Sequence, residues 1–142
     1  MPKSIQILLR DAHHAVDAEV RAALAASGFD EIVPGHYIVL RNLGEDGARP
    51  SELAARAVVT RQAITKVVDD LERLGFVRRD PDPADGRGVI VRYTERGRAG
   101  LNVARKRMLA LEAAFATQVG VDRWAEARAV LETVFDENHA TS

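Results

Sequence analysis

SELAARAVVTRQAITKVVDDLERLGFVRRDPDPADGRGVIVRYTERG, residues 51–97, changes its hydrophobic period part-way along, and that change decides the fold. Along TRQAITKVVDDLERLGFV (60–77) and the Val59 before it, Val59, Ala63, Ile64, Val67, Val68, Leu71 and Leu74 recur at three- and four-residue intervals. This is the buried stripe of an amphipathic helix, with Thr60 suited to cap its start and Gly75 to stop it. From Phe76 the pattern turns to short β-prone runs, FVRRD and VIVRY (89–93). The intervening PDPADGRG holds two prolines and two glycines, which predicts a hairpin with a long polar tip. Just upstream, PSELAARA begins a short helix near Pro50, with Ser51 as the expected cap. Two helices joined by a tight turn and followed at once by a hairpin make a winged helix-turn-helix.

The flanks are helical. Ile5, Leu8, Leu9, Ala12, Val16, Val20, Ala23 and Leu24 predict a helix over 4–26, stopped by Ser27 and Gly28. Pro34 opens a second helix that runs through HYIVLRNL to about Leu43, and GEDGAR (44–49) reads as a loop. Downstream, Leu101, Ala104, Met108, Leu111, Phe115 and Val119 fall in helical register over 95–119. Asp122 is placed to cap a last helix over 123–138, with Trp124, Ala127, Val130, Leu131, Val134 and Phe135 inward, and HATS (139–142) is expected to fray. The fold class is mainly α with a small β-hairpin. One domain over 1–142 is expected: a winged helix-turn-helix lobe at 34–97, flanked by helices at 4–26 and 98–138.

The 142 residues are 46% hydrophobic but only 5% aromatic, so the core must be aliphatic. No cysteine is present, which excludes disulfides and thiolate chemistry in this chain. No apolar run approaches the roughly 20 residues of a membrane span, and the N-terminus lacks the pattern of a secretion signal. A soluble, cytoplasmic protein is expected. The net charge of −1 conceals an asymmetry. Residues 1–48 hold 4 basic and 7 acidic groups, residues 49–98 hold 11 and 8, and residues 99–142 hold 5 and 6. Positive charge is thus concentrated in the middle third, as a phosphate-facing surface requires.

With its apolar stripe buried, the helix from Thr60 exposes Arg61, Gln62, Thr65 and Lys66 near its N-terminus. Arg and Lys match guanine O6 and N7, and Gln matches adenine N6 and N7, in a major groove. Taken alone, the same face equally fits an ordinary solvated helix. The hairpin adds Arg78, Arg79 and Arg92 on its strands and Asp82, Asp85 and Arg87 at its tip. An arginine on such a tip can enter a narrow minor groove, with Asp85 placed to orient its guanidinium. The candidate DNA-binding residues are therefore Thr60, Arg61, Gln62, Thr65, Lys66, Arg78 and Arg87.

Leu71, Gly75, Phe76 and Val77, then Asp85, Arg87, Tyr93, Thr94 and Gly97, resemble the DNA-binding region of the MarR family of regulators. Tyr93 stands where that family usually has Leu, Gly86 replaces a frequent second Arg, and Asp70 occupies a position commonly basic or neutral. The resemblance implies a transcriptional regulator, by family default a repressor. It also implies a homodimer built from the terminal helices on near-palindromic double-stranded DNA. Surplus apolar surface on those helices argues independently for the dimer.

A further implication is an effector pocket between the DNA-reading lobe and the dimer helices, open to small aromatic or anionic compounds. His13, His14, His36, Tyr37 and Arg41 are its candidates, with Arg41 available to a carboxylate. The same residues also fit helix packing and a solvated histidine pair. With four histidines and no paired-ligand spacing, no metal or cofactor is expected. No nucleophile elbow, phosphate loop or dinucleotide fingerprint is present, so an enzyme is not expected. The rival reading is a helical winged-helix adaptor that docks on protein partners without binding DNA.

Overall fold

A computed structural model describes residues 1–136. The expected end of the last helix (137–138) and the tail (139–142) lie outside the described residues. Helix α1 (Ile5–Ala26) starts at Ser4, whose hydroxyl accepts the Ile7 amide, and ends at Ser27. A 3-10 turn, Pro34–His36, leads into α2 (Tyr37–Leu40). This second helix stops short of Leu43. Asn42 donates its side-chain amide to the Ile38 carbonyl at 2.8 Å while Arg56 takes the Asn42 carbonyl at 2.7 Å, and the chain then turns at Gly44 with φ +71°.

Helix α3 (Pro50–Ala57) has Arg49, not Ser51, at its cap position, because the proline occupies the first helical turn and starts it earlier. Val58 makes the turn into α4 (Arg61–Arg73) with φ 55°. Thr60 caps α4 as expected, its hydroxyl accepting the Ala63 amide at 3.1 Å. The helix ends before 77 because Gly75 turns left-handed, φ +83°. On α4, Ile64, Val68 and Leu71 are fully buried. Ala63, expected in that stripe, is exposed instead, since it sits on the capped first turn that projects beyond the core.

The wing departs furthest from expectation. Strand β1 (Val77–Asp82) pairs antiparallel with β2 (Asp85–Tyr93), so the ladder runs almost to the end and only two residues turn. Pro81 does not bar this, because each strand of a two-stranded ribbon is an edge, where proline is tolerated. The expected loop at 44–49 also contributes: Ala48 forms a bridge with Val91, with mutual amide–carbonyl bonds of 3.0 and 2.9 Å.

Helix α5 (Glu95–Val119) is capped by Thr94, whose hydroxyl accepts the Gly97 amide at 3.0 Å and donates to the Gly75 carbonyl at 2.5 Å. A Cβ at Gly97 would lie 2.0 Å from the Phe76 carbonyl oxygen, so only glycine lets α5 cross here. Gly120 then precedes α6 (Val121–Phe135), leaving Asp122 inside the first turn rather than at the cap.

Fully buried Val39, Leu43, Leu53, Ile64, Val68, Leu71, Phe76, Val77 and Val91 lie within the winged helix-turn-helix, and Val20 and Leu24 of α1 pack into the same core. The flanking helices differ. Among the described residues α6 has none buried: Ala127, Val130, Leu131, Val134 and Phe135, expected inward, face outward. Trp124 alone is half-buried, its ring 5.1 Å from that of Phe115. Met108 and Val119 on α5, and Ile5 and Leu8 on α1, are exposed as well.

Candidate nucleic-acid interface

The first two turns of α4 expose Arg61, Gln62, Ala63, Thr65 and Lys66. Thr65 uses its hydroxyl proton on the Arg61 carbonyl at 3.0 Å, so it faces a partner as an acceptor. At the wing, Asp85 does not hold the Arg87 guanidinium. Its carboxylate accepts the Arg87 backbone amide at 3.1 Å, which shapes the turn and leaves the exposed guanidinium free.

Ion pairing sorts the basic groups of the lobe. Arg78 and Arg92 share Asp80, Arg79 binds Asp69 and Glu72, and Arg56 binds Glu52. Arg49 pairs with Asp82, Arg73 with Asp70, Arg96 with Glu31 and Arg98 with Glu45. Of the eleven basic residues in 49–98, only Arg61, Lys66 and Arg87 form no ion pair or side-chain hydrogen bond among the described residues. Two of these cations lie on the open face of α4 and one at the wing tip. Arg78, also a candidate, is exposed but held by Asp80 through two contacts of 3.1 Å.

Helix α4 is braced from behind. The buried His36 ring accepts the Val33 amide on Nδ1 at 3.1 Å, which places its proton on Nε2. Nε2 donates to Asp70 of α4 at 2.5 Å, and Arg73 engages the other oxygen of that carboxylate. The His36 hydrogen bond, followed by that of Arg73, holds the Asp70 carboxyl below its ordinary value. His36 thus faces α4 and lines neither cavity, which removes it from the effector candidates.

The other candidates do converge. His13, Tyr37 and Arg41 line a largely apolar cavity of about 680 Å³ between α1, α2 and α5. They are joined by His14 and Arg21 around a neighbouring cleft of about 600 Å³. Asp17 fills the place expected for a ligand carboxylate: it accepts from Arg41 at 3.0 Å and contacts His13 at 3.2 Å. The Arg41 guanidinium lies 5.1 Å from the Tyr37 ring centre. The Tyr37 hydroxyl is buried with no hydrogen-bond partner among the described residues, and burial raises its pKa.

Residues 32–88 match the family model described as MarR family. The winged helix of this chain is thus similar to that of the MarR family. The MarR likeness extends beyond the matched segment in three dimensions. The transcriptional regulator Tm0710 from Thermotoga maritima superposes with a TM-score of 0.67 at 26% identity, covering 93% of this chain and 96% of that one. The reduced form of MarR from E. coli shares the fold, with a TM-score of 0.75 at 23% identity over 95% of this chain and 98% of that one. The transcriptional repressor CouR, bound to a 23-mer DNA duplex, gives 0.70 at 25% identity over 92% of each chain. In sequence, an HTH-type transcriptional repressor of Mycobacterium tuberculosis is 38% identical over 82 residues, 57% of each chain. An HTH-type transcriptional regulator of Mycobacterium leprae is 38% identical over 68 residues, 47% of this chain and 48% of that protein. The chain spans about half the length of the curated relatives it matches. These relatives are transcriptional regulators by name, and neither the adaptor reading nor an enzyme has a counterpart among them.

The departures from the MarR pattern are accommodated. Tyr93 is buried, and its hydroxyl donates to the Leu40 carbonyl at 2.6 Å. Gly86 lies in the open, where a side chain would meet nothing within 4 Å. Asp70 is paired with Arg73 and accepts a hydrogen bond from His36, so it presents no bare charge. Sequence reasoning missed exposed Ala63 and the Arg49–Asp82 pair. The first is a matter of where the core ends, and the second joins residues 33 positions apart.

Proposed function

We propose that this chain is a homodimeric, cytoplasmic, DNA-binding repressor of transcription, with α4 in the major groove and the wing at the adjacent minor groove. The observation that carries this reading is the distribution of unpaired charge. Internal ion pairs absorb eight of the eleven cations of the lobe, and the three left over lie where a winged helix meets DNA. A solvated surface with no ligand would not be expected to leave its free cations on those two elements alone. Arg61, Gln62 and Lys66 supply donors for base edges, Thr65 an acceptor, and the Ala63 methyl suits a thymine methyl. Thr60 fixes the start of α4, Arg87 reaches the minor groove, and Arg78 serves at the wing flank.

The second copy is called for by α1, α5 and α6. Val130, Leu131, Val134 and Phe135 on α6 are 43–62% exposed, and Leu109 of α5 and Ile5 and Leu8 of α1 are exposed as well. A two-fold dimer covers that surface and sets two α4 helices about 34 Å apart, one turn of DNA, which calls for a near-palindromic operator. The paired cavities serve an effector. Tyr37 offers its unsatisfied hydroxyl, His13, His14 and Arg41 form the polar rim, and Asp17 must be displaced before Arg41 can meet an anion.

Selection of bound sequences from random duplex DNA tests the whole reading. It should return two half-sites about one turn apart. Arg87→Ala should then weaken binding to the selected site by about 1–3 kcal/mol. Recovery of no preferred sequence, or full affinity in Arg87→Ala, would refute the respective part.

A further inference from the structure

Among the contacts that tie the wing to the body of the lobe, two come from the adjoining residues Ala48 and Arg49, and the second has a specific consequence. At the first, the Ala48 and Val91 backbones bond to each other in the middle of β2. That bridge, the bonds of Arg79 to Asp69 and Glu72, and the bond of Arg92 to the Asp46 carbonyl all lie away from the tip. The second point lies one residue later in the chain. Arg49, at the N-cap of α3, reaches across to Asp82 at the end of β1, with Nε 2.5 Å from the carboxylate.

Asp82 is not an ordinary surface acid. It is only 3% exposed although it lies beside the tip, and its other oxygen accepts the Ala84 amide at 2.9 Å. It also sits where the ladder register shifts, opposite Asp85. Its Cβ lies 3.4 Å from where a Cβ of Gly88 would be, so the strand carrying Arg87 closes over it. One carboxylate therefore organises the tip through Ala84 and ties that tip to α3 through Arg49.

Resting on the DNA-binding reading, we propose that Arg49 and Asp82 are positioning residues that set the tilt of the wing, so that Arg87 meets the minor groove while α4 is seated in the major groove. Neither needs to touch a base. Their effect passes through Arg87, and it must vanish when Arg87 is gone.

The sign of one substitution separates this role from simple electrostatics. Asp82→Asn removes a negative charge close to DNA, so charge alone predicts tighter binding. Its carbonyl still accepts the Ala84 amide, so the tip keeps its turn. The clamp predicts the opposite, a loss of about tenfold, because Arg49 keeps Glu52 but loses its ionic partner on the wing. Arg49→Met should cut the clamp from the other side with a similar loss.

The experiment is a double-mutant cycle on the duplex selected by the wild-type protein. Arg87→Ala should cost about tenfold or more in the wild-type background, and little further in the Asp82→Asn or Arg49→Met background. Amide hydrogen exchange over 83–88, measured without DNA, should quicken in both clamp variants while α4 is unchanged. Tighter binding by Asp82→Asn, or additive losses with Arg87→Ala, would overturn the positioning role. Should the wild-type protein select no duplex, the DNA-binding reading itself falls, and the exchange measurement still decides whether the clamp holds the wing.

Discussion

Leu71 and Leu131 both belong to amphipathic helices of similar length, yet one is fully buried and the other 43% exposed. The contrast holds for the regions around them. The winged helix-turn-helix encloses nine fully buried side chains within one segment, whereas α6 has no buried residue among those described. A helix of 15 residues with its apolar face in water is marginal by itself. The lobe thus has a core, to which α1 and α5 also contribute through Val20, Leu24 and Leu101, whereas the apolar face of α6 is left open. The same physics that buries the apolar face of α4 leaves that of α6 available to the second copy proposed above.

The strongest way to break that contrast is to charge the outward face of α6. Leu131→Asp combined with Phe135→Asp would place carboxylates in the proposed dimer interface, where an unpaired buried charge costs about 3–5 kcal/mol. Sedimentation equilibrium should then report the 15.5 kDa monomer, and operator affinity should collapse as the two half-sites uncouple. A dimer that survives both substitutions would place the interface elsewhere.

Next in size is Leu71→Ala. It removes a fully buried side chain from α4 and should cost about 2–5 kcal/mol of lobe stability. Denaturant unfolding should show the loss, while association of the folded protein remains intact. If instead Leu71→Ala and the α6 variant shift the same transition equally, the two regions are one cooperative unit and the contrast fails.

These predictions also mark where sequence reading succeeds. Period alone locates α1, α4 and α5, and Thr60 caps α4 as read, because side-chain capping is a local bond spanning three residues. Arg61, Gln62, Thr65, Lys66 and Arg87 are exposed as their positions suggest. What is not local is not legible. The PDPADGRG stretch looks like a loop because its composition is turn-like, yet it pairs as a ribbon, and Asp82 within it is bonded to Arg49, far away in sequence. Likewise His36 looks like a ligand-binding group beside Tyr37 and Arg41, but adjacent residues on one helical turn point to different sides. Only the packing of α2 on α4 shows that His36 serves Asp70. For α6, the apolar stripe is real, and the error lies in assuming that the chain itself must cover it.

Acid should act on the lobe through its anchored carboxylates. The carboxyl of Asp82 is held below its ordinary value of 3.8, first by the Arg49 hydrogen bond and then by the Ala84 amide, and that of Asp70 by His36 and Arg73. A carboxylate with a depressed folded-state pKa binds fewer protons in the folded state than in the unfolded one. Its stabilisation is therefore full above the ordinary value and is lost as pH falls through 3.8 toward the folded value. Wing amides should lose exchange protection below about pH 4, and Asp82→Asn should flatten that dependence. An unchanged acid profile in Asp82→Asn would show that the Arg49 pairing is not what protects the wing.

The smallest effect concerns the turn between α3 and α4. Val58 holds φ 55° and ψ 47°, a left-handed conformation in which a β-branched side chain crowds the following carbonyl, and it is 89% exposed, so no packing offsets the strain. The strain is of order 1–2 kcal/mol. Val58→Gly relieves it but frees the unfolded chain, which recovers roughly 0.5–1 kcal/mol of that gain. The net expectation is a lobe stabilised by up to about 1 kcal/mol, read as a higher urea midpoint with unchanged dimerisation. A lower midpoint would mean that the valine holds the two helices at their angle through contacts with the partner or with DNA, and the lobe would then be less self-sufficient than its core implies.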